Sequence, residues 1–232
     1  KQKTAYGMLR SLVGSEMCIR DSKGVYQDAQ GIDKIQKYAS LFGLDQKSGV
    51  EIEEMDPHVS DTDAVRSSIG QGTNNYAPVQ LARYVTTIAN EGNCYDLTLV
   101  NEIKNIDGRT VYKSDNVPKN TVDLTDSQWA VIKQGMRQMV SEHTSPSALI
   151  NQINVNVAGK TGTAEEDTTR PDHALFVSFA PYENPEVSVT CVIPHGYTSG
   201  NAEELAGMVY AYMYDPDKLD TLDITGNNQM SD

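Results

Sequence analysis

The sequence contains few cysteines, few basic residues and no long apolar run. The cysteines number three, Cys18, Cys94 and Cys191, and so sparse a set is not a disulfide framework. No stretch of about 18 apolar residues occurs, so the sequence predicts no transmembrane helix. The formal net charge is −13, whereas proteins that bind a phosphate backbone carry basic patches. These absences argue against a disulfide scaffold, a membrane segment in this chain and a nucleic-acid partner.

Metal-ligand patterns are also missing. The four histidines are scattered, and no pair of cysteines has a spacing typical of zinc sites. Cys191 lies in the apolar run 189–193, and we expect it in the core. We therefore predict neither a metal nor a cofactor.

Length and composition favour one domain or a fragment of a larger one, since the chain has 232 residues, 38% of them hydrophobic and 22% charged. The chain begins with Lys1 rather than Met, and we expect a fragment. The stretch 12–21 resembles a frame translation of a common transposase sequencing adapter, so residues 1–22 are interpreted as non-native. The alternative is a natural loop or short helix. Residues 215–232 are predicted to be a frayed polar tail, which leaves 23–214 as the folded part.

Helical spacing appears in four segments. The first contains Ile32 and Ala39 and ends near Gly43, and the second begins at Pro78, which suits a first helical turn. The third begins at Thr125, where Gln128 completes a capping box. In this third helix we assign Trp129, Ile132, Met136 and Met139 to the core. The fourth runs from about Asn201 to Tyr214, with Leu205, Met208, Val209 and Tyr212 on one side.

Strand patterns follow the third helix. Three candidates, 153–164, 173–181 and 186–194, are separated by turn residues. Upstream, residues 95–122 are interpreted as irregular strands and turns with a hairpin at Asp107-Gly108. The order of elements predicts an α+β fold in which an antiparallel sheet packs between helices.

The sharpest chemical signal is Ala158-Gly159-Lys160-Thr161-Gly162-Thr163-Ala164. Lys160 offers a positive charge for a carboxylate, and Thr161 and Thr163 offer hydroxyl donors. Gly162 has no side chain, so the backbone of a ligand can lie against this strand as an added strand. A plain turn at a strand end is the alternative interpretation of a Lys-Thr-Gly triplet.

This motif resembles the third conserved box of the serine transpeptidases and β-lactamases, and its context is similar to the class B penicillin-binding proteins. The resemblance covers about residues 31–214, in family order. It includes the segments Phe42-Gly43-Leu44, Ser48 to Ile52, Ser68 to Gly72, Pro78 to Ala82, Ala89 to Gly92 and His173 to Tyr182. It implies a β-lactamase/transpeptidase-like fold, incomplete at the N-terminus.

The resemblance also implies roles for the motif. Lys160 helps to bind the carboxylate of a D-alanyl-D-alanine stem peptide or a β-lactam, and Thr161 and Gly162 line the groove. The backbone N–H of Thr163 forms half of the oxyanion hole, and the nucleophile's own N–H forms the other half. The implied parent is a membrane-anchored extracytoplasmic enzyme that works with a glycan polymerase of the cell-wall machinery.

The nucleophile is the main departure from the family pattern. The first box is Ser-x-x-Lys, in which lysine activates the serine, and no serine of this chain has lysine three positions later. The second box, Ser-x-Asn, is absent from its expected place before Phe42. The Ser-x-Asn pattern also occurs at 114–116, which we interpret as a surface turn, and at 199–201, which we interpret as a helix start. We therefore expect this chain to be inactive by itself.

Other polar residues receive structural interpretations. Glu165, Glu166 and Asp167 are predicted to form a solvated acidic loop, since the deacylating glutamate of class A β-lactamases precedes the third box. His173 is predicted to be a packed or hydrogen-bonded strand residue, and Arg83 a surface residue.

Three functions remain open from the sequence. The first is a fragment of a peptidoglycan D,D-transpeptidase. The second is a serine β-lactamase or D,D-carboxypeptidase of the same superfamily, although no deacylating segment precedes the third box. The third is a non-catalytic sensor or wall-binding module that keeps the groove without turnover.

Overall fold

The computed structural model describes residues 27–142, 149–166 and 169–221. Segment 1–22, Asp167 and the tail beyond Thr221 therefore lie outside the described residues. The helices are α1 (Asp28–Leu41), α2 (Ala64–Ser67), α3 (Pro78–Ala89), α4 (Asp126–Glu142) and α5 (Ser199–Tyr214), followed by a 3-10 helix, Pro216–Thr221. The strands are β1 (Asn93–Cys94), β2 (Glu102–Lys104), β3 (Thr110–Lys113), β4 (Asn120–Thr121), β5 (Ala158–Ala164), β6 (His173–Ala180) and β7 (Val187–Ile193).

The main sheet is antiparallel, in the order β5-β6-β7. Helix α5 packs on one face of the sheet, and α3 and α4 pack on the other side, against β6, β7 and β5. The predicted α+β arrangement of an antiparallel sheet between helices is confirmed. Among the described helices, none is long and apolar enough to cross a membrane.

Strand β6 is buried on both faces because its side chains alternate between two apolar clusters. Ala174, Phe176 and Ala180 face the cluster that contains α5, whereas Phe179 faces Val85, Ile88 and Met136 of α3 and α4. At about 25 cal/mol per Å² of apolar surface removed from water, these two clusters are the main source of stability.

Several helix boundaries match the local sequence signals. Helix α1 ends at Leu41, and Gly43 follows in a left-handed conformation (φ 74°) that glycine adopts without strain. Helix α3 begins with Pro78. Before α4, the backbone N–H of Thr125 donates to Oε1 of Gln128 at 2.9 Å, as the capping box predicts. The hairpin at 107–108 is also confirmed, since β2 and β3 pair on either side of it.

Two details of the predicted elements are wrong. The first strand of the sheet begins at Ala158 rather than at 153, although Ile153 and Val157 are still buried in the core. The last helix begins at Ser199, so the interpretation of 199–201 as a helix start is confirmed, but its buried side differs from the predicted one. That side is formed by small residues such as Ala202 and Ala206, with Tyr210 and Glu203, whereas Leu205, Val209 and Tyr212 are exposed. Small side chains face the sheet because they let the helix approach it closely.

Arg83 is buried, contrary to the prediction of a surface position, since only 1% of it is exposed. Its guanidinium donates to the carbonyls of Gly43 and Gln46, the latter at 2.7 Å, and lies 3.2 Å from the carboxylate of Asp96. The side chain thus joins α3 to the loop after α1 and to the segment after β1. A buried charge is tolerated here because several acceptors surround it.

Replacing Arg83 with Met keeps most of the side-chain volume and removes the guanidinium. We expect the free energy of unfolding to fall by about 3 kcal/mol, because each buried carbonyl left without a donor costs about 1–3 kcal/mol. Arg66→Met, at an exposed position on α2, is the control and should change it by less than about 0.5 kcal/mol. Urea denaturation measures both variants, and equally small effects would contradict the structural role of Arg83.

Candidate functional site

The motif predicted from the sequence forms strand β5, an edge of the described sheet. Lys160 pairs with Val177 of β6, Thr161 with Phe176, Gly162 with Leu175 and Thr163 with Ala174. Among the described strands, β5 pairs only with β6. A ligand with an extended backbone can therefore add to the other edge of β5.

The four predicted site residues share this strand but not one face of the sheet. Because side chains alternate along a strand, Lys160 lies on the same face as the position of Gly162, and Thr161 and Thr163 lie on the opposite face. Thr163 is exposed and Thr161 is partly buried. The hydroxyl of Thr161 lies 4.0 Å from Sδ of Met139, a weak acceptor that a ligand oxygen can replace.

Lys160 is held close to the strand. Its Nζ donates to the carbonyl of Thr161 at 2.7 Å, and burial lowers the pKa of the ammonium below the ordinary value for lysine. A carboxylate interacts more favourably with a partly desolvated cation that has only a neutral partner than with a fully hydrated cation, because less solvent screens the charge. The site is therefore suited to an anionic ligand.

Two glycines of β5 have different roles. A methyl group added at Gly159 would lie 2.5 Å from Cζ of Phe176, so the close approach of β5 to this ring requires glycine. A methyl group at Gly162 would meet only Cβ of Leu175 at 3.4 Å, which is ordinary contact. The fold therefore requires Gly159, whereas a methyl group at position 162 would fit in ordinary van der Waals contact with Leu175.

These two glycines give a matched pair of substitutions. We expect Gly159→Ala to lower the free energy of unfolding by about 1–3 kcal/mol, the usual cost of overpacking. Gly162→Ala should change it by less than about 0.5 kcal/mol. Thermal denaturation of both variants is the measurement, and a larger loss of stability for Gly162→Ala than for Gly159→Ala would contradict the packing described here.

The lowered pKa of Lys160 gives a pH dependence of stability. The folded chain holds this proton less tightly than the unfolded chain, so burying the charged form costs free energy at neutral pH. The cost disappears as pH rises through the folded pKa towards the ordinary value near 10.5. We therefore expect Lys160→Met to have a free energy of unfolding at pH 7 at least as high as that of the natural sequence. The difference between these two free energies should become smaller as pH rises. A difference that stays constant with pH, measured by urea denaturation, would contradict this.

The other sequence candidates lie away from β5 or have structural roles. Residues 114–116 follow β3 in a loop that is largely exposed, so the prediction of a surface segment is confirmed. Ser199 begins α5, where the side chain of Thr198 caps the helix. Met136 and Met139 pack against the two apolar clusters as predicted. Glu165 is exposed, in agreement with a solvated acidic loop.

Two histidines that are far apart in the sequence meet beside the end of β5. The rings of His173 and His195 lie 4.7 Å apart between centroids. Nε2 of His173 is 3.1 Å from Oε2 of Glu166, and its Nδ1 accepts a hydrogen bond from the backbone N–H of His195. The prediction of a hydrogen-bonded strand residue at His173 is confirmed, but no sequence signal indicates its two partners. Among the described residues, no group of His, Cys, Asp and Glu forms a metal site.

The chain belongs to the family described as the penicillin binding protein transpeptidase domain, whose model matches residues 24–212. This match confirms the resemblance to class B penicillin-binding proteins on which the sequence interpretation depends.

Two curated relatives illustrate the similarity. Penicillin-binding protein 2B of Streptococcus pneumoniae is 28% identical over 209 residues, which cover 83% of this chain and 30% of the relative. Peptidoglycan D,D-transpeptidase MrdA of Acinetobacter baumannii is 25% identical over 242 residues, which cover 91% of this chain and 35% of the relative. The chain thus spans about a third of the length of these relatives.

Solved structures of similar proteins share the fold. Penicillin-binding protein A of Mycobacterium tuberculosis, solved as an imipenem acyl-enzyme complex, matches with a TM-score of 0.69 and 26% identity over 79% of this chain and 42% of that one. Penicillin-binding protein 2B of S. pneumoniae matches with a TM-score of 0.73 and 24% identity over 94% of this chain and 38% of that one.

Proposed function

We propose that this chain is part of a peptidoglycan D,D-transpeptidase and supplies the wall of its active site that binds the ligand's carboxylate. The observation that carries the proposal is the arrangement of β5, an edge strand with a partly buried cation at Lys160 and a glycine at 162 that core packing does not require. Membership of the transpeptidase family and relatives named as D,D-transpeptidases support it. Residues 23–214 are the transpeptidase part in this proposal.

Four residues of β5 have roles in the proposed site. Lys160 attracts the carboxylate of a D-alanyl-D-alanine stem peptide, or of a β-lactam that mimics it. Thr161 and Gly162 line the groove in which the ligand extends along the strand. The backbone N–H of Thr163 donates to the carbonyl oxygen that gains negative charge during acyl transfer, and preorganised donors of this kind are a major source of catalysis.

The attacking serine is not among the residues of β5. No serine in the 232 residues has lysine three positions later, and this pair is what activates the nucleophile in the family. We therefore assign the nucleophile, its activating lysine and the second oxyanion donor to another part of the full-length protein. The present chain binds the ligand without being acylated by it.

The relatives support the proposed ligand class and location. Structures of M. tuberculosis penicillin-binding protein A contain imipenem, ceftriaxone and penicillin G as acyl-enzyme complexes. Our proposal extends β-lactam binding to this site and places the protein at the extracytoplasmic face of the bacterial membrane, where peptidoglycan is cross-linked. A glycan polymerase of the cell-wall machinery is the proposed partner of the full-length protein.

Binding of an N-acetylated D-alanyl-D-alanine dipeptide to the ¹⁵N-labelled chain tests the carboxylate wall. We expect the dipeptide to shift the amide signals of residues 159–163. Lys160→Met should weaken binding about tenfold or more, because a hydrogen bond to a charged group contributes about 1.5–3 kcal/mol. Gly162→Ala should also weaken binding, since its methyl group would occupy the face that Lys160 uses.

Two controls make this experiment specific. Lys104→Met removes an exposed lysine of the β2–β3 hairpin and should leave the affinity unchanged. A dipeptide with a C-terminal amide instead of the carboxylate should bind the natural sequence and Lys160→Met equally. If the dipeptide shifts no amide signal of β5, the proposed role of this strand in binding the carboxylate is wrong. Boil-resistant labelling by fluorescent penicillin would instead show that a nucleophile lies within these residues.

A further inference from the structure

His173 connects two loops beside the Thr163 end of β5. It is the first residue of β6 and pairs with Ala164, directly after the pair of Thr163 with Ala174. On one side its Nε2 contacts Glu166 of the β5–β6 loop at 3.1 Å. On the other side its Nδ1 accepts the backbone N–H of His195, in the β7–α5 loop, at 3.1 Å.

The β7–α5 loop is strained and is held by acceptors next to His173. His195 and Tyr197 have left-handed backbones, with φ 53° and 66°, which costs free energy for residues other than glycine. The N–H of Tyr197 donates to the carbonyl of Asp172 at 3.1 Å, and Nδ1 of His195 donates to that of Pro171 at 3.0 Å. Residues 171–173 thus provide three hydrogen bonds that keep this conformation.

The same loop is packed against the strand position opposite Thr163. Ala174 pairs with both Thr163 and Ile193. A methyl group added at Gly196 would lie 2.8 Å from Cβ of Ala174, so no free space separates the loop from this residue. A movement of the loop is therefore transmitted to Ala174 and to the backbone of Thr163, because packed interiors transmit strain.

The hydrogen bonds require one tautomer of each histidine. His173 must have a free electron pair on Nδ1, so its neutral ring carries the proton on Nε2 and donates to Glu166. His195 must carry its proton on Nδ1, because the carbonyl of Pro171 only accepts. A second proton on His173 would place Nδ1–H against the backbone N–H of His195, and one of these donors would lose its acceptor.

Two titratable groups are in direct contact with His173. They are the carboxylate of Glu166 and the tilted ring of His195. Arg170 and Asp172 flank the site in the β5–β6 loop. About a quarter of the His173 side chain, 26%, is exposed, so protons from solvent reach the ring.

We propose that His173 is a positioning residue that holds the backbone N–H of Thr163 in place only while its ring is neutral. Protonation breaks the hydrogen bond from His195, the strained loop relaxes, and the end of β5 shifts through Ala174. The importance of this shift for acyl transfer rests on the function proposed above, in which the Thr163 N–H stabilises the oxyanion. The mechanical link between His173 and Thr163 does not depend on that function.

Long-range ¹H–¹⁵N spectra of the 232-residue chain test the link without a ligand. At pH 8 we expect the Nε2–H tautomer for His173 and the Nδ1–H tautomer for His195. Between pH 8 and 5, the range in which histidines change charge, the amide signals of His195 and Thr163 should follow the titration of the His173 ring. Two results would overturn the proposal. One is an Nδ1–H tautomer at His173, and the other is a Thr163 amide signal that does not change as the His173 ring titrates.

Two substitutions separate the contacts of His173. His173→Asn keeps an acceptor oxygen near the Nδ1 position for the N–H of His195, and it does not titrate. We expect Thr163 to keep its high-pH amide signal at every pH in this variant. His173→Gln keeps a donor towards Glu166 and loses the acceptor, so its Thr163 signal should resemble the low-pH state at every pH. Identical Thr163 signals in both variants would contradict the role assigned to the His195 bond.

Ligand binding then distinguishes this inference from the proposed function. If both hold, the natural sequence binds the D-alanyl-D-alanine dipeptide about fivefold more weakly at pH 5.5 than at pH 7.5, the lower end of typical coupling between sites. His173→Asn should show no such difference. Binding through Lys160 that is independent of pH overturns the His173 proposal alone. If the Thr163 amide signal changes with the titration of His173 but the dipeptide does not bind, only the proposed function is overturned.

Discussion

The burial of β6 on both faces is the constraint on which the rest of the structure depends. Its side chains alternate between the cluster with α5 and the cluster with α3 and α4, so a shift by one residue would exchange Phe176 and Phe179 between the two clusters. The register of β6 in turn fixes the register of β5. Apolar packing of β6 therefore places Lys160 and Gly162 on one face of the sheet and Thr163 on the other.

Polar groups in the interior connect this sheet to the rest of the chain. Arg83 brings the loop after α1 to α3, and α3 lies against β6 and β7. Lys160 is different, because burial lowers the pKa of its ammonium, so its charged form costs free energy in the folded state. The described partner of its ammonium is the carbonyl of Thr161. In the proposed site, the carboxylate of the ligand is the opposite charge that pairs with Lys160.

The residues of the proposed binding site lie on the edge strand β5. Membership of the transpeptidase family explains why β5 carries Lys160-Thr161-Gly162-Thr163, and each of these positions has a role in the proposed site. The glycine at 159 is fixed by Phe176, whereas the glycine at 162 is free of such contact. The acyl-transfer chemistry also needs a serine and its lysine, and the proposal assigns both to residues outside this chain.

The sequence by itself determined the local elements and the chemistry of β5. Gly43, Pro78 and the pair Thr125 and Gln128 marked helix ends correctly, because caps and first turns depend on neighbouring residues. The sequence misplaced the buried side of α5, because hydrophobicity alone does not show that Ala202 and Ala206 allow a closer approach than Leu205.

Only the tertiary structure decided the burial of Arg83 and the meeting of His173 with His195. The two carbonyl acceptors of Arg83 lie about 40 residues before it, and backbone carbonyls carry no sequence signal. The two histidines are 22 positions apart and become neighbours because β6 and β7 form an antiparallel pair. Contacts between distant segments depend on strand order and register, which local patterns of residues do not contain.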